Sequence, residues 1–300
     1  MDYIEFCWLN DWPLLKSALQ ETLGSSGQLL KKHFSSKELA RSIRKGEVIR
    51  LPVDLINHMG INPIFIGPTP SVIKETADYI VIHKPAGVHT HPHCYSDQDT
   101  LLNFLAQNGC WKALDVNKLN YDRGLLYRLD FETSGIMLAA KNEKYFSEMR
   151  TNFKTAMKSK FYWAIVEGDF NQEGSWTHYF KGSGAKGAKQ RVEVSRFPES
   201  DEGSLEVKKV MTSNDKSLLL INLNSGLRHQ IRAQLAALGF PILGDELYGG
   251  NQAERLFLHA WRYEWTEIEE DNSADLFDCF FDLNSGLKVS HDMLRVFKGR

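Results

Sequence analysis

The four cysteines of this 300-residue chain, Cys7, Cys94, Cys110 and Cys279, are widely scattered and include no Cys-x-x-Cys pair. That spacing excludes a disulfide framework and a zinc ribbon and leaves ordinary reduced thiols. Long hydrophobic runs are missing too: an aliphatic stretch such as residues 218–223 falls far short of a bilayer crossing. Where a secretory signal needs basic residues followed by an apolar block, the N-terminus carries Asp2, Glu5 and Asp11. No HExxH motif and no internal repeat is present. These absences predict a globular, cytoplasmic protein without membrane association.

An excess of basic charge is also lacking, since 36 Lys and Arg stand against 38 Asp and Glu for a net charge of -2. Nucleic-acid binders draw much of their affinity from cations on phosphates, so the balance argues against RNA or DNA at first sight. The distribution reverses that reading. Residues 264–282 hold eight acidic side chains and no Lys or Arg, which leaves the remainder net positive by about six. Residues 141–196 carry eleven basic residues against six acidic.

With 42% hydrophobic residues the chain can bury a full core. Pro68-Thr69-Pro70 reads as a linker between a small N-terminal unit, 1–70, and a main domain, 71–300. In the first unit, Ser35-Ser36-Lys37-Glu38 has the form of a capping box, with Leu39 and Ile43 at helical spacing and Gly46 as a stop. Lys37, Arg41 and Lys45 would then line one outer face. In the main domain, residues 79–82, 136–140, 160–167 and 218–223 read as strands, and residues 100–105 and 143–153 as helical. Strands and helices without strict alternation predict an α+β fold. Residues 181–189, rich in Lys and Gly, read as a flexible basic loop.

The most informative stretch is Arg128-Leu129-Asp130 followed by Phe131-Glu132-Thr133-Ser134-Gly135 and the apolar run 136–140. A carboxylate held between a cation and a Thr-Ser-Gly turn, just ahead of a buried strand, sits at the lip of a sheet. Ser225-Gly226-Leu227-Arg228-His229-Gln230-Ile231-Arg232 reads as the opening of a helix with Ile231, Leu235 and Leu238 inward and Gly239 as its stop. Arg228 and Arg232, one turn apart near its N-terminus, suit either phosphate or a buried carboxylate, and spacing does not choose between them.

Taken in order, Lys84-Pro85-Ala86-Gly87, His91-Pro92, Arg128-Leu129-Asp130 with Thr133-Ser134-Gly135, Lys160-x-Tyr162-x-Ala164-x-Val166-x-Gly168, His229-Gln230-Ile231-Arg232, Gly239-x-Pro241-Ile242-x-Gly244-Asp245-x-x-Tyr248-Gly249 and Leu258-His259-Ala260 resemble the successive motifs of the RluA-like family of RNA pseudouridine synthases. The resemblance spans residues 75–265. It implies the pseudouridine synthase catalytic fold, with a mixed, largely antiparallel central sheet, and a ribosomal or transfer RNA substrate. The basic helix followed by Gly46-Glu47-Val48 and a short strand resembles the alpha-L RNA-binding module that often precedes that domain.

By the same resemblance, Asp130 matches the nucleophile that attacks the uridine at the ribose or the base, and Arg232 the arginine paired with it. Tyr162 matches the tyrosine that stacks on the base and could take part in the later proton removal. Arg128 matches the residue that fills the space left by the flipped uridine. Lys84, Lys160, Arg228, His229 and Gln230 are expected on the substrate side. The resemblance implies neither metal nor organic cofactor, and a monomer is expected. Tyr127 stands where a histidine usually precedes Arg-Leu-Asp, and Leu227-Arg228 replace the usual Arg-Thr, departures that bear on substrate identity. Two rival readings are a non-catalytic RNA-binding protein on the same fold and a metal-dependent hydrolase using His89, His91 and His93, though Pro92 interrupts that cluster.

Overall fold

The computed structural model describes residues 3–56, 60–151, 157–184, 188–213, 215–265 and 269–271. They fall into two compact units, residues 1–67 with 91–123 and residues 68–90 with 124 onward. The first boundary lies beside Pro68-Thr69-Pro70. The grouping of 91–123 with the N-terminal residues is a long-range arrangement that the linear division at residue 70 does not include.

In the first unit, β1 (Tyr3–Cys7) and β2 (Val48–Pro52) pair antiparallel. Helices α1 (Leu15–Leu23), α2 (Gly27–His33), α3 (Ser36–Leu39) and α4 (Val53–Ile56) accompany them, followed by α5 (Leu101–Gln107) and α6 (Trp111–Asp115). Trp8, Leu19, Leu30, Ile43 and Leu51 form its apolar core. The expected capping box at Ser35 and Glu38 is present. The helix it starts is a single turn, because Ile43 exchanges two backbone hydrogen bonds of 2.9 Å with Trp12 instead of continuing the spiral. Lys37, Arg41 and Lys45 therefore do not share a helical face, and Arg41 instead pairs with Glu47.

The second unit is built on a ten-stranded sheet. Its strands are β3 (Ser71–Glu75), β4 (Tyr79–Lys84), β5 (Ser134–Ala140), β6 (Met157–Glu167), β7 (Gly174–Ser183), β8 (Lys189–Glu193), β9 (Asp201–Ser213), β10 (Lys216–Leu223), β11 (Leu258–Trp265) and β12 (Glu269–Asp271). Their order is β3-β4-β5-β11-β6-β10-β9-β7-β8, with β12 beside β11. β5 and β11 run parallel, and every other pairing along the sheet is antiparallel. This is the mixed, largely antiparallel sheet of an α+β fold.

β4 and β5 are buried along their whole length, as their unbroken apolar runs require of strands covered on both faces. The segment read as a basic loop is largely a hairpin: Lys181 pairs with Arg191 and Ser183 with Lys189. Lys186 lies outside the described residues. Helix α7 (Glu143–Thr151) follows β5, and α8 (Gln230–Ala237) follows β10. Phe153, placed on the first of these by periodicity, lies outside the described residues.

The parallel contact sets the entry of β5, because His259 is in register with Ser134 and Ala260 with Gly135. Ser134 Oγ and His259 Nδ1, 2.8 Å apart and both buried, lock that register. Gly135 has φ +133°, and a Cβ there would lie 2.2 Å from the Ala260 carbonyl oxygen. Gly174 has a similar φ of +128° with open space around it. Gly174→Ala should therefore cost only backbone strain, about 1–3 kcal/mol. Gly135→Ala should cost more, because the collision adds to that strain. Urea denaturation of the two variants measures the difference, and equal losses would show that the β5–β11 approach tolerates a methyl group.

Candidate active site

Asp130 sits on the loop that leads into β5, and that loop is fastened from below. Thr90 Oγ1 donates to the Leu129 carbonyl at 2.8 Å, and the Gly87 N–H donates to the Phe131 carbonyl at 2.9 Å. The Thr133 N–H closes back on the Asp130 carbonyl at 3.1 Å, which makes the expected turn. Lys84 is fully buried beneath it and donates to the carbonyls of Val88, Pro85 and Phe131 at 2.8, 3.1 and 3.3 Å. Burial pulls its ammonium down to about 7, against the opposing pull of Asp130 and Glu132. Lys84 thus supports the loop and does not line the cleft.

Asp130 borders an open cleft, together with Arg128, Thr133, Tyr162, Leu227, His229 and Arg232. β6 supplies Tyr162, opposite Ala260 of β11 and Ile221 of β10. Burial pushes the Tyr162 phenol up to about 12, so it is neutral at physiological pH.

Helix α8 begins five residues later than Ser225. His229 is its N-cap, in the left-handed region at φ 53°, and the residues before it form a loop. The reason is the Gln230 side chain. Its Oε1 accepts from Ser225 Oγ at 2.9 Å and from the Leu227 N–H at 3.1 Å, while its Nε2 donates to the Ser204 carbonyl at 3.1 Å. Gln230 thereby staples the loop to β9. Arg228 lies on that loop, exposed and outside the cleft lining, rather than one helical turn from Arg232. Lys160 donates to the Ser225 carbonyl, also outside the lining, and burial brings its ammonium down to about 8.

Arg232 is the buried cation of the site, but its fork is not on Asp130. Its Nε and one terminal nitrogen donate to the two carboxylate oxygens of Asp245, each at 2.8 Å. The other terminal nitrogen lies 3.2 Å from Glu132 and 3.8 Å from Asp130. The Asp245 side chain is 0% exposed, against 27% for Asp130 and 47% for Glu132. Burial opposes the charge on Arg232, yet the three carboxylates outweigh it and raise its pKa further. Asp245 and Glu132 had no expected role; the signal was an acid set in the apolar stretch around Pro241-Ile242-Leu243-Gly244. Gly244 lets that stretch fold in, since a Cβ on it would lie 1.9 Å from the Arg255 carbonyl oxygen.

His229 faces Asp130, Nε2 to Oδ1, at 3.9 Å, and its Nδ1 is 3.1 Å from the Tyr248 hydroxyl. Burial lowers its pKa, with Asp130 pulling the other way, so it is a neutral imidazole at pH 7. Tyr248 also accepts from the Gln190 N–H of β8 at 2.8 Å, and Arg232 sits 5.6 Å over its ring. Among the described residues no group of three or more His, Cys, Asp or Glu is arranged to hold a metal. In the rival histidine cluster, His89 packs its ring on Phe131 at 4.4 Å and His91 pairs with Asp122 at 3.0 Å. No helix among the described residues is long and apolar enough to cross a membrane.

A family model described as RNA pseudouridylate synthase matches residues 78–237. The chain is 31% identical over 199 residues to a ribosomal large subunit pseudouridine synthase D of Borreliella burgdorferi, covering 65% of this chain and 60% of that one. It is 32% identical over 207 residues to an uncharacterized RNA pseudouridine synthase of Mycoplasma genitalium, covering 66% and 64%. The matched region thus spans less than two thirds of either relative. The human protein titled RNA pseudouridylate synthase domain containing 1 shares the fold, with a TM-score of 0.58, 21% identity and coverage of 78% of this chain and 98% of that one.

Because Asp245 is wholly buried, Arg232→Leu should destabilise the protein by about 3–5 kcal/mol, the cost of stranding a buried charge. Replacing both partners, as Arg232→Leu with Asp245→Leu, should recover most of that loss. Chemical denaturation of the single and double variants tests this, and a single variant as stable as the parent would refute the Arg232–Asp245 pairing as the buried ion pair.

Proposed function

This chain belongs to the RNA pseudouridylate synthase family, and on that premise we propose that it converts uridine to pseudouridine within a ribosomal or transfer RNA. It does so as a monomer in the cytoplasm, with Asp130 as the nucleophile. The observation that carries this reading is the convergence of Asp130, Tyr162 and Arg232 on one open cleft. Asp130 is partly open to the cleft and held near a cation that is itself anchored elsewhere.

The carboxylate attacks the target uridine at the anomeric carbon or the base, and the glycosidic C–N bond breaks. The uracil turns within the cleft and joins the anomeric carbon through its C5 as the bond to Asp130 breaks; C5 then loses its proton and N1 takes one up, so that the product is an isomer of the uridine. The uridine enters flipped out of the RNA stack, with Arg128, exposed at the rim, filling the gap it leaves. Tyr162 supplies an aromatic face for the base. Arg232 places a positive charge 3.8 Å from Asp130, and the fastened 129–133 loop keeps the carboxylate in position.

Asp130→Asn keeps the shape of the side chain and removes the nucleophile. It should lower pseudouridine formation by about 10⁴-fold or more while leaving folding and RNA affinity near the parent's. Mapping pseudouridines in cellular RNA from strains with and without the protein tests activity and substrate together. Identical maps, or appreciable turnover by the variant, would sink the assignment.

RNA affinity should fall steeply with salt despite the net charge of -2, each phosphate contact contributing about 0.7–0.9 to the log–log slope. Neutralising Lys186 and Lys189 should flatten that slope without slowing the chemical step at saturating RNA. An unchanged slope would move the phosphate contacts to other basic surfaces.

A further inference from the structure

We propose that His229 is a catalytic residue, the base that takes the proton from C5 of the uracil after carbon–carbon bond formation and delivers it to N1. This deepens the reading of the cleft as a uridine site and rests on it.

The isomerisation moves one hydrogen from carbon to nitrogen, so the cleft needs a group that accepts a proton and gives it back. Among the side chains that line it, Arg128 and Arg232 have no lone pair to offer, and the hydroxyls of Thr133 and Tyr162 are neutral. Gln230 is an amide whose Oε1 already accepts from Ser225 Oγ and the Leu227 N–H. Asp130 is engaged as the nucleophile, and an imidazole is ordinarily a stronger base than a carboxylate. His229 remains.

Its geometry suits the task. Nε2 lies 3.9 Å from Asp130 Oδ1. Asp130 leaves the anomeric carbon as C5 joins it, so one carbon separates C5 from the carboxylate that Nε2 faces. On the far side of the ring, Nδ1 is 3.1 Å from the Tyr248 hydroxyl, which the Gln190 N–H holds at 2.8 Å. A hydroxyl can donate or accept, so this contact serves either neutral tautomer and the imidazolium alike. His229 also has a left-handed backbone, φ 53° and ψ 22°, a strained choice for a residue with a Cβ, and such strain collects at reacting centres. Burial keeps the ring neutral at pH 7; Asp130 and Glu132 favour the imidazolium, while Arg232 and Arg228 oppose it. The carboxylate released as the carbon–carbon bond forms thus lies beside the charge that His229 takes up.

Once C5 has joined the ribose it carries both its hydrogen and the new bond, and C6 is double-bonded to N1. Nε2 takes the hydrogen as a proton. The electron pair left behind forms the C5–C6 double bond, and the former C6–N1 pair moves onto N1. The imidazolium gives its proton to N1, so His229 ends as it began and no co-reactant is consumed.

The test uses total RNA from cells lacking the protein, grown with hydrogen or with deuterium at C5 of uridine. Parent and His229→Asn are compared by single-turnover pseudouridine formation, RNA binding and thermal denaturation. Asparagine is among the residues that tolerate a left-handed backbone, so the fold should be kept. His229→Asn should form pseudouridine about 100-fold more slowly or worse, with RNA affinity near the parent's. It should also be slower on the deuterated RNA than on ordinary RNA, because loss of the C5 hydrogen has become the slow step. Tyr248→Phe, which removes the hydroxyl beside Nδ1, should give a smaller loss with the same isotope dependence. A parental rate in His229→Asn overturns the proposal. So does a slow variant without isotope dependence, since His229 would then serve another step. Should His229→Asn fail to fold, His229→Gly, unstrained at φ 53°, carries the same expectations. A parent that makes no pseudouridine in this RNA sinks the uridine reading and this assignment with it, whereas an active parent matched by the variant sinks the assignment of His229 alone.

Discussion

The guanidinium of Arg232 is the constraint around which the second unit assembles its cleft. It is 97% withdrawn from solvent by its 3% side-chain exposure, and an ion so placed costs several kcal/mol unless its hydrogen-bonding capacity is met. Meeting it requires three separate pieces of chain to converge: the first turn of α8, the 3₁₀ turn that opens at Asp245, and the loop bearing Asp130 and Glu132. The division of labour among the carboxylates follows from their access to water. Asp245, with none, must be the neutralising partner and takes both forks. Asp130, which still reaches solvent, can lie 3.8 Å off and keep its oxygens open to the cleft.

That separation explains why the Asp130 loop is held by backbone rather than by its side chain. A carboxylate locked in a bidentate pair would be well placed but poorly able to leave its partner. Here the carbonyls of Leu129 and Phe131, on either side of Asp130, are fixed by Thr90, Gly87 and Lys84. The side chain between them is left with one distant cation and one neutral imidazole. Lys84 supplies three hydrogen bonds from a single buried group, so the loop's position is paid for within β4 and its following turn, not at the reacting end of Asp130.

The central strands were legible because burial on both faces demands continuous apolar runs, as in 79–82 and 136–140, and no other element of that length fits them. Asp130, Tyr162 and Arg232 were singled out through ordered motifs, and all three line one cleft. The start of α8 was not legible, because the pattern from Ser225 is compatible with a helix until the Gln230 side chain claims Ser225 and Leu227. The single turn of α3 and the β7–β8 hairpin escaped for a similar reason: a bridge to Trp12 and a cross-strand register are decided by residues far away. Asp245 escaped because its local signal, an acid beside the apolar stretch 241–244, does not say which cation it meets, and its arginine lies thirteen residues away.

The two departures from the family pattern fall on different layers of the same site. Tyr127 stacks on Tyr263, whose hydroxyl lies 2.7 Å from that of Tyr162, and has no place in the cleft lining. Leu227 does line the cleft, while Arg228 lies outside it. An apolar side chain at the wall and a cation displaced from it leave the Arg232–Asp245 pair untouched, since neither residue contributes a hydrogen bond to that pair. The change at position 227 therefore alters the cleft wall, and the change at position 127 falls in the aromatic layer behind Tyr162. A carboxylate positioned by backbone contacts tolerates both kinds of change, because neither passes through the bonds that hold it.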